Sequence, residues 1–483
     1  MTRDTYFRGG DWHPPAGSGT FDVYEPYSGK VFAKVAACEQ ADAVLAVDAA
    51  AEAFEEWASL PPARKAALFL RAEEIVAKRR DELVDLLVHE TGCTTMLAML
   101  QQDLVQQFLR HAAGWVYQPK GEVLQSDVPG VSSTTVRRPL GVVACISPWN
   151  AASILGWQAA LQPLAAGNTV VLKPSELAPV SAGLVIAEVA DEAGFPPGVV
   201  NVVPHAPGAA PAIADVFFND DRVRCINFIG SVETGRMLSE RAGRALKRTV
   251  MELGGHNPMI VLDDADLDYA VRSAMFSAFL HQGQICMAAR MILVQRGLHD
   301  AFVRKFVEKT AELRRGDPRD PATFIGPLIN QAALDKVHRR VTDAVALGAR
   351  VLTGGTYDGL IYEPTVLADV PLEAEMATVE TFGPVVAVAP FDTVDEAIEL
   401  ANRSHYGLSS AVFTADAGRG LEVGARVKSG AVHVNGPTID QELQAPFGGV
   451  SDSGWGRSGP QSVNDFTDLV WVTVQSGQRP LPF

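Results

Sequence analysis

The sequence predicts an α/β protein built from two doubly wound parallel-sheet domains with a small β extension, and three observations carry that prediction. From Gly141 onward, short apolar runs are each followed by a helical pattern: GVVACISPW, NTVVLKP, GVVNVVP and VRCINFIGS open four such units. Repeated strand-helix units close into a parallel sheet with helices on both faces. A second series starts near MELGGHNPMIVLDDADLDYAV and continues through RMILVQ, VLTGG, VVAVAPF, SSAVFT and GAVHVN. Finally, 483 residues that are 47% hydrophobic and 20% charged exceed what one small core absorbs, so at least two packed domains are expected.

In chain order, the first recognisable helices run from about Ala41 to Trp57 and from Ala63 to Thr91, where apolar residues recur at helical spacing between Glu, Arg and Lys. After Pro119 the periodicity is lost, and GEVLQSDVPGVSSTTVRRPLG reads either as an exposed hairpin or as a plain surface loop. Strand-helix units then run from Gly141 to about residue 253, and a second series runs from about residue 254 to 437. The tail DFTDLVWVTVQ is β-rich, a natural partner for the earlier hairpin or for another subunit's edge. If the hairpin and the tail pair, they form a β extension of residues 121–139 and 464–483. No tandem repeat or low-complexity linker interrupts the chain.

Composition excludes several function classes. The 57 acidic against 41 basic side chains give a formal charge of −16, which repels phosphate backbones and anionic membrane surfaces, so neither nucleic acid nor membrane is an expected partner. The segment MTRDTYFRGGDWHPP has no apolar core of a signal peptide, and no apolar run approaches membrane-helix length, so a cytoplasmic protein is expected. The five cysteines form no CxxC pair and have no His at zinc-ligand spacing, which predicts reduced thiols and no metal.

Several residues carry chemistry. GQICMAAR sets Cys286 between Ile285 and Met287; such a cysteine is a nucleophile once deprotonated, or else an inert core thiol like most buried cysteines. TVMELGGHNP ends an apolar strand on Glu252, at the edge where α/β clefts lie. There a carboxylate serves as a general base on water, or simply as an exposed strand-end acid. In CISPWN, Asn150 follows a strand, where its amide can donate to an oxyanion or cap the next helix. Lys173 and Glu176 bracket the turn of VLKPSE, within reach of sugar hydroxyls, and Gly230 and Ser231 open a helix whose free N–H groups suit a pyrophosphate. Neither is the usual fingerprint: there is no GxGxxG, and GSVETGR carries Arg236 where a P-loop needs Lys.

Taken together and in this order, ISPWN, GNTVVLKPSE, INFIGSVETGR, MELGGHNP, GQICMAAR, ETFGPVV, YGLSSAVFT and PFGG followed by SGWGR resemble the aldehyde dehydrogenase superfamily from roughly Phe21 to Phe483. The resemblance implies an aldehyde dehydrogenase fold, with residues 1–120 and 140–253 as the NAD-binding domain, 254–437 as the catalytic domain and the β extension as oligomerisation segments of a homodimer or homotetramer. It implies Cys286 as nucleophile, Glu252 as general base, and Asn150 with the Cys286 N–H as oxyanion hole. It also implies NAD as cofactor, with Lys173, Ser175 and Glu176 at the adenosine ribose, Gly230 and Ser231 by the pyrophosphate, Glu380 and Phe382 at the nicotinamide ribose, and Ile146, Trp149, Leu253 and Gly254 lining the site. Glu176 would repel a 2′-phosphate, favouring NAD over NADP.

The stretches NVVPHAP, FLHQGQICM, GAVHVNGPTIDQELQAPFGG and DFTDLVWVTVQ look like the benzaldehyde, vanillin and salicylaldehyde dehydrogenase branch. The implied substrate pocket, Ala151, Leu155, Trp157, Ile285, Met287 and Phe447, is mostly apolar and suits a flat aromatic aldehyde. One departure is visible: Ser451 stands where the family usually has Lys in PFGGxKxSG. Alternatives are an aliphatic or semialdehyde dehydrogenase of the same mechanism, a CoA-acylating enzyme, which has no need of Glu252, a cofactor-free thiol esterase, which leaves Lys173, Glu176 and Glu380 without a purpose, and a catalytically silent member of the fold.

Overall fold

A computed structural model of the chain describes residues 1–479 and 481–483. The first sheet has at its centre the strands β1 (Val142–Ser147), β2 (Thr169–Pro174), β3 (Val200–Val202), β4 (Val223–Ile229) and β5 (Arg248–Glu252). They lie in the order β5-β4-β1-β2-β3 and all run parallel. Every residue of β1 and β2 is buried, as in strands covered on both faces. The helix Ala152–Ala166, which leaves β1, is apolar on nearly all sides and is enclosed accordingly. Chain order reverses between β1 and β4, and the crevice at the carboxyl ends of such strands is where open α/β sheets bind ligands.

The second sheet contains β6 (Met259–Val261), β7 (Met291–Gln295), β8 (Thr365–Ala368), β9 (Val385–Phe391), β10 (Ser409–Phe413) and β11 (Ala431–Val434), in the parallel order β8-β9-β7-β6-β10-β11. The segment from Gly254 to Pro258 passes from β5 of one sheet to β6 of the other. This brings the carboxyl edge of the first sheet against the second unit.

The structure corrects the sequence expectations in three places. Both sheets are mixed at their edges: Tyr6–Arg8 and Asp11–His13 extend the first sheet antiparallel beyond β3, Gly454–Trp455 pairs antiparallel with β5, and Arg350–Thr353, the VLTGG run, pairs antiparallel with β8. The connection from Arg350–Thr353 to β8 holds only a short hairpin and no crossover helix, which a parallel neighbour requires. The helix expected from Ala63 to Thr91 is two, Pro62–Lys78 and Arg80–Thr91, broken at Arg79. The Arg79 side chain is bound by Glu82 at 2.6 Å and Glu188 at 2.7 Å, so tertiary ion pairs hold a bend that neither Gly nor Pro announces. A long helix, Thr95–Trp115, and the strands before Ala36 had no reading in the sequence.

The 121–138 segment is a hairpin, Val123–Leu124 against Val131–Pro139, and Thr467–Gln475 from the tail pairs antiparallel along the whole of its longer strand. Among the described residues no helix is long and apolar enough to cross a membrane.

Candidate active site

Cys286 follows a turn that few sequences tolerate. His281, Gln282 and Gly283 have φ of 53°, 54° and 67°, three successive left-handed residues, two of them with side chains. At Gly283 a Cβ would collide with the Gly383 carbonyl oxygen, so only glycine fits. The strain is held by buried hydrogen bonds. Gln282 Nε2 donates to Gly92 O at 3.1 Å and Pro327 O at 2.9 Å, and the fully buried Arg290 donates to Gly383 O at 2.7 Å and to Gly283 O. Asn257, itself left-handed at φ 47°, donates from Nδ2 to Cys286 O at 2.7 Å and Ala288 O at 2.9 Å. The carbonyl side of the cysteine peptide is thereby fixed to the segment that leads from the first sheet to the second after Glu252.

Cys286 is the one cysteine that is not fully buried. Cys38, Cys93, Cys145 and Cys225 are enclosed in the core; Cys145 lies within β1 with its Sγ 3.1 Å from Ala159 O. Cys286 opens onto a cavity of about 270 Å³ that also contains Asn150, Glu252 and Glu380. Burial pushes its thiol up to about 12, the Glu380 and Glu252 carboxylates adding to the rise and the N–H groups of Met287 and Cys286 opposing it.

The resting group is therefore a thiol that must pass its proton to a base before it attacks. Glu252 terminates β5 inside this cavity, and burial raises its carboxyl to about 8, with Arg457 opposing the shift. A carboxyl so placed exchanges protons near neutral pH. Burial likewise raises Glu380 to about 7 against the pull of Arg290.

Asn150 is not a helix cap: the next helix starts at Ala152 without a side-chain cap, and Asn150 Nδ2 donates instead to Gln284 O at 2.9 Å, beside the cysteine. That bond uses one amide hydrogen and leaves the second, while the Cys286 N–H has no protein acceptor among the described residues. Two donors beside one sulfur can stabilise a developing oxyanion. We predict that Asn150→Ala lowers turnover about 10²- to 10³-fold while the protein stays folded. Stopped-flow single-turnover rates check this, and wild-type rates would remove Asn150 from the chemistry.

The cavity gathers Trp149, Asn150, Leu155, Gly230, Ser231, Glu252, Leu253, Gly254, Cys286, Glu380, Phe382 and Phe447 from the residues singled out in the sequence. It does not include the others. Ile146 is buried in β1 against Phe228, and Trp157 packs in the core of the first domain. Ala151 borders that same core, Ile285 and Met287 belong to a second apolar cluster that Trp149 also joins, and Met287 O is held by Thr438 at 2.8 Å. Lys173, Ser175 and Glu176 form a separate cluster at the end of β2, where Ser175 Oγ accepts the Leu177 N–H at 3.3 Å. Ser451 sits at φ 54° in an exposed turn beside Asp452, which pairs with Arg236.

Sequence reasoning missed Gln158, Lys336 and Thr381 on the cavity wall, and the positioning residues Asn257 and Arg290. Gln158 had a legible signal, since it stands three residues after Leu155 on a mostly apolar helix and so shares its face. Its Oε1 accepts from Gln441 Nε2 at 3.4 Å.

The donor set fits a dinucleotide. Ser231 caps the helix Val232–Arg244 by accepting the Thr234 N–H at 3.3 Å, and the N–H groups of Val232 and Glu233 have no intrahelical acceptor, as first-turn donors do not. Glu380 accepts only a long 3.4 Å bond from Gly255, so most of its acceptor capacity faces the cavity. At Gly254 a Cβ would collide with that carboxylate. Phe382, at φ 54°, packs edge-on against Trp149 with ring centroids 5.7 Å apart, closing one wall.

The chain belongs to the aldehyde dehydrogenase family, whose model matches residues 12–472. Within it, the chain is 45% identical to a vanillin dehydrogenase of a Pseudomonas species, with 96% of each chain covered. It is 38% identical to an NAD⁺ benzaldehyde dehydrogenase of Pseudomonas putida, covering 97% of this chain and 96% of the other. Its structure is similar to that of a salicylaldehyde dehydrogenase from Pseudomonas putida G7 complexed with salicylaldehyde, at TM-score 0.97 and 36% identity, with 100% of each chain covered.

Proposed function

We propose that this protein oxidises an aromatic aldehyde to the carboxylic acid with NAD, through a thioester on Cys286 that water hydrolyses with Glu252 as general base. The observation that carries the reading is the convergence of Cys286, Asn150, Glu252 and Glu380 on one mostly apolar cavity. The Cys286 thiol gives up its proton to water, and the sulfur adds to the aldehyde carbon. Asn150 Nδ2 and the Cys286 N–H hold the oxyanion. The nicotinamide, when bound, supplies the hydride acceptor. Glu252, ionised, then removes a proton from the water that attacks the thioester, and Cys286 leaves, taking that proton from Glu252 to become the thiol again.

Lys173, Ser175 and Glu176 hold the adenosine ribose, Gly230 and Ser231 lie by the pyrophosphate, and Glu380 with Phe382 orients the nicotinamide ribose, Ile146, Trp149, Leu253 and Gly254 shaping the site around them. Glu176 disfavours the 2′-phosphate of NADP by charge repulsion. Leu155 and Phe447 supply apolar walls for a ring, with Ala151, Trp157, Ile285 and Met287 shaping the wall behind them. No Arg lines the cavity, and its cation, Lys336, lies near enough to Glu380 to lower that carboxyl. Vanillin, benzaldehyde and salicylaldehyde as the named substrates of similar proteins support the same ring.

Residues 1–120 and 140–253 serve as the NAD-binding domain and 254–437 as the catalytic domain. Segments 121–139 and 464–483 form the contacts of a homodimer or homotetramer. The edge strand Thr467–Gln475, with Leu469, Trp471 and Val474 exposed, supports that assembly.

Steady-state NADH formation over benzaldehyde, its hydroxylated and methoxylated forms, succinic semialdehyde and short aliphatic aldehydes tests the substrate class. The aromatic aldehydes are expected to have kcat/KM at least about tenfold above the rest, the worth of burying a ring in an apolar pocket. A preference for the semialdehyde or the aliphatic compounds would overturn the aromatic assignment and leave the chemistry standing.

A further inference from the structure

We propose that His205 is a positioning residue of the adenosine-ribose site: as a neutral acceptor it holds the Lys173 ammonium so that Lys173 and Glu176 face the same sugar. This rests on the reading that Lys173 and Glu176 bind the ribose. Lys173 is on β2 and His205 lies just beyond the end of the neighbouring β3, so the sheet itself brings them together. Lys173 Nζ is 2.6 Å from His205 Nε2 and 3.5 Å from Pro174 O, and both side chains are buried.

The tautomer follows from the other ring nitrogen. Nδ1 is 2.9 Å from Ala206 O, and a carbonyl only accepts, so Nδ1 carries the proton and Nε2 offers its lone pair to the ammonium. Protonating Nε2 would set two cations against each other; burial, with Lys173 beside it, lowers His205 to about 4, and the ring is neutral at physiological pH. Burial also lowers Lys173, to about 8, with the charge of Glu176 opposing.

A carboxylate in place of His205 would neutralise Lys173 and compete with the sugar for its hydrogens. A neutral imidazole fixes the ammonium without cancelling its charge. Of three N–H groups, one goes to His205 and a second makes only the long contact to Pro174 O. The third is free for a hydroxyl. Glu176, partly exposed, has its Oε2 3.9 Å from His205 Nε2, so the acid and the ammonium share one side of the imidazole.

Two substitutions separate this role from packing. His205→Gln can place an amide oxygen near the position of Nε2, and His205→Asn can keep a donor for Ala206 O but cannot reach Lys173. Calorimetric titration with NAD is expected to show affinity weakened about tenfold in His205→Asn and restored to within about threefold of wild type in His205→Gln, as for loss and recovery of one charged hydrogen bond. The loss is expected in KM for NAD and not in kcat.

Wild-type affinity in His205→Asn, or equal weakening in both variants, would overturn the proposal. Lys173→Ala is the arm that separates the two readings. If it too binds NAD like wild type, the ribose reading itself falls; if it weakens binding while His205→Asn does not, His205 alone is excluded. Should either His205 variant fail to fold, ¹⁵N NMR of histidine-labelled wild type decides: one imidazole locked as the neutral Nδ1–H tautomer at pH 7 is expected, and its absence would overturn the assignment.

Discussion

Replacing Cys286 with alanine abolishes NADH formation from every aldehyde while the protein still folds and still binds NAD. The expected loss is at least about 10⁴-fold, because the nucleophile has no substitute within the cavity. The other four thiols are enclosed in the core and none lines the cavity. Removing one partly exposed sulfur opens no large void, so the thermal unfolding midpoint should move little. Cys145→Ala is the matched control. It deletes a buried sulfur from the centre of β1, and its cost should appear in stability and leave the chemistry running. NADH production in Cys286→Ala at wild-type rate would end the thioester mechanism.

Glu252→Gln is expected to lower steady-state turnover about 10²- to 10⁴-fold, the usual worth of a positioned base. The side chain keeps its shape and loses its basicity, so NAD binding persists. In the wild type, burial raises this carboxyl to about 8, which depletes the carboxylate below that pH. At pH 7 only about a tenth of the molecules carry the base, and kcat should rise with pH and level off above about 8. The glutamine variant loses that inflection. A wild-type inflection surviving in Glu252→Gln would assign the titration to another group, with Glu380, raised to about 7, next in line.

What the sequence made legible was local. The strand-helix alternation from Gly141, the placing of Glu252 at a strand end and the opening of a helix after Ser231 are each contained in a few consecutive residues. Position within the cavity was another matter. Ile285 and Met287 flank the nucleophile in sequence, yet neither lines the cavity; they belong to the apolar cluster that Trp149 joins. Trp157, two residues beyond Leu155, turns into the core, because alternate positions on a helix point in different directions.

The residues that fix the cysteine were least legible, since each acts across a long sequence separation. Asn257 reaches Cys286 O, Gln282 reaches Gly92 O, and Arg290 reaches Gly383 O. In the sequence, each is an ordinary polar residue with no partner nearby. Only the strained turn at His281 to Gly283 explains why so many buried bonds converge there. Gln158 and His205 were visible as polar residues in apolar surroundings, but neither carried a partner in its neighbourhood of the chain.

The most direct test of the mechanism is to mix Glu252→Gln with NAD and benzaldehyde, quench in acid and map the protein by mass spectrometry. With hydrolysis slowed, one benzoyl group per chain should accumulate on the peptide carrying Cys286, together with one NADH per active site. An acyl group on Cys145 or on any other residue, or NADH formed with no covalent adduct, would contradict the assignment of Cys286 as nucleophile and Glu252 as the base that releases the acid.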